Sequence, residues 1–252
     1  MIELINLTKR YGNFTAVDSL NLVVPKGEIF GFIGPNGAGK TTTIKMMGGV
    51  IAPTSGSVSI CGIPLATSPE LAKRKIGFIP DRPFLYEKLT GLEFLKFIAD
   101  LFGVEKSRFG DKAREMLDLF SLLDWAGELI ESYSHGMKQR LIMAAALLHD
   151  PELIIVDEPM VGLDPIGIKM VKHLFKQLVK NGVSMFMSTH TLKVAEDLCD
   201  RVGIIHKGKL IAIGTLEELQ EKARLREGDL EDVFIRLTKA EVDYEPENGG
   251  RR

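Results

Sequence analysis

Ile29-Phe30-Gly31-Phe32-Ile33-Gly34-Pro35-Asn36-Gly37-Ala38-Gly39-Lys40-Thr41-Thr42 is the stretch from which the fold of this 252-residue chain is read. Residues 28–33 form an apolar run with strand character. The glycine-rich segment 34–42 then matches G-x-x-x-x-G-K-[ST], and a helix over about 39–49 follows it. Strand, loop and helix in that order make a phosphate cradle. Without a Cβ at Gly34, Gly37 and Gly39, backbone N–H groups can turn inward around phosphate oxygens. Lys40 brings a cation to the β- and γ-phosphates, Thr41 offers a hydroxyl to Mg²⁺, and the helix start adds its dipole. Gly34, Pro35, Asn36, Gly37, Ala38, Gly39, Lys40, Thr41 and Thr42 are therefore the first candidate nucleotide-binding positions.

A second helix start of the same kind lies about a hundred residues on. Ser134-His135-Gly136-Met137-Lys138-Gln139-Arg140 opens an apolar-faced segment that runs to Leu148. One nucleotide needs only one such cradle from its own chain. A second one suggests two chains closing over shared nucleotide.

A third feature follows directly. Leu153-Ile154-Ile155-Val156-Asp157-Glu158-Pro159 is a buried strand that ends in two adjacent carboxylates. Burying charge is costly unless a cation sits nearby. Beside a phosphate loop, Asp157 suits a ligand of Mg²⁺, directly or through water. Glu158 suits the γ-phosphate side, as base or orienter of an attacking water.

Composition narrows the field. Hydrophobic residues make up 45% and charged residues 26%, the balance of an ordinary globular domain, and the net charge of −2 argues against nucleic acid as the main partner. The basic triplet Lys73-Arg74-Lys75 reads as a solvated helix end. Cys61 and Cys199 are isolated, which suits idle thiols in a reducing compartment. The N-terminus lacks the apolar core of a secretory signal. The longest clean apolar stretch, residues 141–148, is far below the ~18 residues of a membrane span, so the chain is not expected to cross a bilayer.

The organisation is α/β with an insert. Strands are expected over 2–7, 16–24, 28–33, 57–61 and 76–80, with a turn at Tyr11-Gly12-Asn13. From Thr90 to Leu148 the periodicity is helical. Leu92, Leu95, Ile98, Ala99 and Phe102 share one face, and Ala113, Met116, Leu117 and Phe120 another. The frame resumes with strands over 153–156 and 183–188, a helix over 165–180 and another after Thr191. A hairpin over 202–213 and helices over 216–223 and 230–237 close it. Residues 1–240 are read as one domain with a helical subdomain at about 88–150, and residues 241–252 as a disordered polar tail.

Taken together, these motifs resemble the nucleotide-binding subunit of ABC transporters over nearly the whole chain, from Ile2 to about Thr238. Tyr11 matches the aromatic that stacks on adenine in that family. Segment 34–42 matches Walker A, and 153–158 matches Walker B with its catalytic glutamate. Tyr133 to Met137 occupies the family signature, Gly162-Leu163-Asp164 the D-loop, and His190 the switch histidine that senses the γ-phosphate. The ending at 230–237 looks like subunits that serve separately encoded membrane partners, often exporters of the drug-resistance type. The resemblance implies a P-loop NTPase core with an N-terminal antiparallel β subdomain and an inserted α-helical subdomain. ATP and Mg²⁺ are the implied cofactors. Glu158, His190 and Lys40 are the implied catalytic residues, and Thr41, Asp157 and Asp81 the implied metal ligands. Ser134, Gly136 and Asp164 join the nucleotide contacts.

Two motifs depart from the family pattern. In the signature, His135 stands for the first glycine and Met137 for the glutamine, while Ser134 keeps the N-cap hydroxyl and Gly136 the close backbone approach. His135 reads equally as an exposed loop histidine, and Met137 as plain packing. At the Q-loop, after residues 76–80, Asp81 replaces Gln or Glu. Its shorter side chain leaves open whether it meets Mg²⁺ directly or through water.

The implied partners are a transmembrane permease and a second ATPase subunit, with the chain held at the inner face of the cell membrane. The surface from Asp81 to Phe97, with Pro83, Phe84, Leu85 and Tyr86 in a loop, is the candidate for docking the permease, and burial within the insert is the competing reading. Two rival functions fit the sequence less well. A soluble ABC-type ATPase acting on DNA or ribosomes would carry long heptads or two cassettes, which this chain lacks. A non-hydrolysing regulator would not need Glu158 and His190.

Overall fold

The computed structural model describes residues 1–82 and 84–242, with side chains described to residue 239. The tail expected at 241–252 therefore lies outside the described residues, apart from the last helical positions at 241–242. Ten strands in two sheets carry the frame among the described residues.

The first sheet is antiparallel. Strands β1 (Ile2–Tyr11), β2 (Phe14–Val24), β4 (Ser55–Ile60) and β5 (Ile63–Pro64) run in the order β2-β1-β4-β5. Along β2 the inward residues Leu20, Leu22 and Val24 alternate with exposed neighbours, the period-2 pattern of a sheet with one wet face.

The second sheet is mostly parallel and central. Strands β3 (Ile29–Ile33), β6 (Ile76–Ile79), β7 (Leu153–Asp157), β8 (Ser184–Thr189), β9 (Arg201–His206) and β10 (Lys209–Gly214) run in the order β10-β9-β3-β8-β7-β6. Its middle strands are buried on both faces, so β3, β7 and β8 show apolar runs instead of alternation. One face, through Phe30, Phe32, Leu153, Ile155 and Phe186, packs on the antiparallel sheet and on α1 (Lys40–Met47). The other, through Ile154, Val156, Met185 and Met187, packs on the helical insert and on α6 (Pro165–Lys180). The C-terminal ends of β3 and β7 thus meet at one edge, where open parallel sheets hold ligands.

The insert consists of α3 (Gly91–Phe102), α4 (Lys106–Leu119) and α5 (His135–Leu147). The face expected on α4 holds: Ala113, Met116, Leu117 and Phe120 are buried. On α3 the expectation needs correction. Leu92 stays 42% exposed, and the buried arc runs through Phe94, Leu95 and Ala99 with Ile98 beside it. The reason is local. Thr90 and Glu93 form a reciprocal cap, and Gly91 N and Leu92 N donate to Glu128 O and Ala126 O, which sets the rotation of the first turn.

The short strand β5 was not expected from the sequence, and of α2 (Pro69–Arg74) only its basic end was. Lys73 and Arg74 sit exposed in the last turn of α2, the solvated helix end anticipated for them. Helices α7 (Leu192–Leu198), α8 (Leu216–Ala223) and α9 (Leu230–Val242) cover β9 and β10, and α9 runs five residues past its expected end. Burial pushes both thiols, Cys61 and Cys199, above the ordinary cysteine range, so neither is a ready nucleophile. Among the described residues, no helix is long and apolar enough to cross a membrane.

Candidate functional site

The glycines between β3 and α1 are there for different reasons. A Cβ on Gly34 would lie 2.3 Å from Ile205 O, and one on Gly39 would lie 2.5 Å from Ala16 O. Both contacts are with backbone that cannot step aside. Gly37, by contrast, faces open space and needs its freedom for φ +81°. The loop is pinned to the frame because Gly208 N donates to Ala38 O at 2.9 Å.

Lys40 is only 7% exposed, and its Nζ donates to Gly34 O at 2.7 Å and Pro35 O at 3.2 Å. Burial lowers its pKa, and the carboxylates of Glu158 and Asp157 oppose that shift. A desolvated ammonium therefore shares one electrostatic neighbourhood with the two acids that end β7. The first turn of α1 contains no acidic residue and no side-chain cap, so its positive end is not neutralised from within. Thr41 and Thr42 follow, with Thr41 exposed on the cavity side.

Asp157 is 2% exposed and accepts a hydrogen bond from Ser188 Oγ on β8. Glu158 comes next in a left-handed conformation, φ +51°, a costly backbone state for a residue with a Cβ. Its neighbours hold it there. Glu158 N donates to Ser188 O at 3.0 Å. Its carboxylate accepts from Thr189 Oγ1 at 3.1 Å and from His190 N at 2.9 Å, and pairs with His190 Nδ1 at 2.7 Å. The turn thus fixes the carboxylate beside Thr189 and His190, within electrostatic reach of Lys40.

These groups share one cavity of about 510 Å³. It is lined by Tyr11, Asn36, Gly37, Gly39, Lys40, Thr41, Thr42, Asp81, Glu158 and His190, with Phe14, Ala16 and Val161 completing the wall. Gly34, Pro35, Ala38 and Asp157 are not among the residues that line it. Sequence reading missed Phe14, Ala16, Val161, Ser188 and Thr189. Only Phe14 carried a signal, as a large aromatic three residues after Tyr11.

Ser134, Gly136 and Asp164 do not line this cavity. Ser134 caps α5 by accepting from Met137 N at 3.3 Å, and Asp164 caps α6 by accepting from Gly167 N at 2.7 Å. At α5 the N–H groups of His135 and Gly136 stay available to an anion, whereas α6 starts with Pro165, which has no N–H, behind the carboxylate cap of Asp164. The two starts touch: a Cβ on Gly136 would come within 3.4 Å of Gly162 O, and the His135 ring packs directly over Gly162. His135 is exposed, and Met137 is buried in the core, which settles the latter as packing.

The site can accommodate Mg²⁺ bound to a triphosphate. Among the described residues no three His, Cys, Asp or Glu side chains form a metal cage. A hydroxyl at Thr41 with one or two carboxylates, the remaining positions coming from phosphate and water, is how Mg²⁺ is held beside nucleotides.

Comparison with known proteins bears on the same residues. A family model described as ABC transporter matches residues 17–161, more than half of the chain. The linearmycin resistance ATP-binding protein of Bacillus subtilis is 40% identical over 219 residues, covering 87% of this chain and 70% of that protein. The bacitracin transport ATP-binding protein of Bacillus licheniformis is 44% identical over 225 residues, covering 89% and 72%. Among solved structures, an ATP-binding subunit of an ABC transporter superposes with TM-score 0.89 at 35% identity, covering 94% of this chain and 99% of that one. A dimeric ATP-binding cassette in a post-hydrolysis state, bound to ADP and Pi, superposes with TM-score 0.79 at 27% identity, covering 86% and 99%.

Proposed function

We propose a working cycle, residue by residue, for this chain, which belongs to the ABC transporter family. It is an ATP-binding subunit and an ATPase, it uses ATP with Mg²⁺, and it works with a permease and a second ATPase subunit. The observation that carries the assignment of roles is the joining, in one cavity, of the desolvated Lys40, the strained Glu158 and its partner His190.

In this reading Tyr11 receives the adenine and the loop 34–42 wraps the phosphates with its N–H groups. Thr41, Asp157 and Asp81 would hold Mg²⁺, which neutralises charge shared between the β- and γ-phosphates. Lys40 exchanges the carbonyls of Gly34 and Pro35 for phosphate oxygens. Glu158 takes a proton from the attacking water, whose oxygen forms the new bond to the γ-phosphorus as the bond to ADP breaks. His190 orients Glu158 through Nδ1 and reports on the γ-phosphate from its other side.

The helix start at Ser134 and Gly136 serves the nucleotide of the opposite copy. A γ-phosphate then meets two positive helix ends, one from each chain, and ATP favours closure because only the closed pair offers both. Hydrolysis removes that differential contact and the pair reopens. Val161 and Ile166, which flank the Asp164 turn and are 42% and 80% exposed, support an interface on this face. The relatives named for resistance and for bacitracin transport support export of an antibiotic-like substrate through the separate permease. Attachment to the inner face of the membrane through that permease is part of the same proposal.

Asp81 lines the same cavity as Glu158 and starts the loop that leads to α3. Its place supports a role in passing nucleotide state to the permease. Asp81→Ala is expected to lower permease-stimulated ATPase activity about fivefold, roughly the 1 kcal/mol of one ordinary hydrogen bond, while leaving ATP binding within about threefold. A variant with unchanged rate and unchanged stimulation removes Asp81 from the pathway.

The docking surface is proposed on the same loop and the adjoining face of α3. Phe84 and Tyr86 are 80% and 49% exposed, and their rings join Phe97 in an edge-to-face chain with centroid distances of 6.1 and 5.4 Å. Exposure favours docking over burial in the insert for these three, whereas Leu85 packs on the core. Pro83 lies outside the described residues. Tyr86→Ala is expected to weaken assembly with the permease by about tenfold or more, measured by co-purification, because central aromatic anchors dominate such interfaces. Intact assembly at wild-type yield would move the docking site elsewhere.

A further inference from the structure

We infer that Phe14 is a second wall of the nucleobase subsite, so that both strands of the β1–β2 hairpin hold the base by aromatic area. The inference rests on the ATP-site reading above and adds a residue and a basis for recognition to it.

Tyr11 ends β1 and Phe14 begins β2, and the two are direct cross-strand partners around the turn Gly12-Asn13. Residues directly opposite one another in an antiparallel pair project to the same face. The turn depends on Gly12 for its left-handed φ of +56°. Both side chains line the cavity that contains the phosphate loop, and both are unusually exposed for aromatics, at 51% and 63%. Ala16, buried two residues beyond Phe14, lines the same end of the cavity and touches the loop through its carbonyl, 2.5 Å from the Cβ position of Gly39. The aromatic pair is therefore registered against the cradle by strand β2 itself.

One side of Tyr11 is already engaged. Lys9 Nζ donates to Ala52 O at 2.6 Å and sits 5.3 Å from the centre of the Tyr11 ring. That contact steadies the tyrosine and assigns the base to its remaining surface. Phe14 has no polar atom, and Ala16 none in its side chain. Tyr11, Phe14 and Ala16, which all line the cavity, thus offer the base ring and methyl surface. Stacking area is then the source of affinity for the base, and Phe14 contributes a share comparable with that of Tyr11.

The test compares ATP with inorganic tripolyphosphate, which has the phosphates and no base, both with Mg²⁺ and the full chain. Phe14→Ala is expected to weaken ATP about tenfold, within the usual range for losing one base–aromatic stack, and to leave tripolyphosphate within twofold. Phe14→Leu keeps apolar bulk on the hairpin without a ring, and is expected to match the alanine variant. Wild-type ATP affinity in the leucine variant would overturn the inference. So would equal losses for ATP and tripolyphosphate, which would make Phe14 a support of the phosphate loop. Failure of the unaltered chain to bind ATP would instead contradict the site reading on which this inference stands.

Discussion

Glu158→Gln is expected to lower ATP turnover by about a thousandfold, roughly 4 kcal/mol on the barrier, while ATP affinity stays within about threefold. The structure explains why such a drastic loss should come without unfolding. Glu158 Oε1 accepts from His190 N and faces His190 Nδ1, and Oε2 accepts from Thr189 Oγ1. A glutamine carbonyl can take the place of Oε1. Its amide group can then donate to Thr189 Oγ1, since a hydroxyl rotates to accept. The left-handed turn, φ +51°, is thus still held on three sides. What disappears is the group that takes the proton from water. Single-turnover kinetics with a direct ATP-binding measurement separate the two effects. A variant that keeps more than a tenth of the wild-type rate would remove Glu158 from the chemical step.

Gly39→Ala is expected to be the most damaging conservative substitution in the loop. At φ +108° a residue with a Cβ pays about 1–2 kcal/mol for the conformation alone. The added Cβ would also stand 2.5 Å from Ala16 O, a backbone atom held in β2. Strain of this kind adds a further ~1–3 kcal/mol. For a domain of this size the sum corresponds to a fall in Tm on the order of 10 °C. Relaxation by shifting the loop would relieve it at the expense of the inward-facing N–H groups and the placement of Lys40. Either route is expected to weaken ATP binding more than tenfold, read by thermal unfolding with and without nucleotide. Gly37→Ala provides the contrast, because nothing lies within 4 Å of its Cβ position and only the backbone conformation is strained. Equal effects at the two positions would show that packing against β2 does not shape the cradle.

The sequence reading located the chemistry better than it located the packing, and the reason is physical. Glycine, lysine and adjacent acids are informative because few environments tolerate them in an apolar run, so 34–42 and 153–158 stood out. Asp164-Pro165 likewise marked the start of α6, where the cap and fixed proline φ leave little choice. Contacts between distant elements carry no such local signal. The hydrogen bonds that hold Glu158 come from Thr189 and His190, on the neighbouring strand and the residue after it, and only strand order makes them adjacent. Leu92 shares a helical face with Leu95 by spacing, yet the first turn of α3 is oriented by bonds to residues 126–128, and Phe94 is buried instead. The edge-strand β5 is two residues long and α2 six, too short for either periodicity to emerge. Phe14 fell between the expected turn and the strand expected from residue 16, and only the strand register sets it opposite Tyr11.

The central claim is that ATP joins two copies of this chain, each giving its loop at Lys40 to one nucleotide and its helix start at Ser134 to the other. Light scattering of the Glu158→Gln variant tests it most directly, since that variant is expected to bind ATP and not consume it. With Mg²⁺ and saturating ATP the mass should be twice that of the 27.9 kDa chain, returning to one chain with ADP, and Ser134→Arg should abolish the change. A single-chain mass at saturating ATP, or an ATP-dependent pair indifferent to Ser134→Arg, would contradict it.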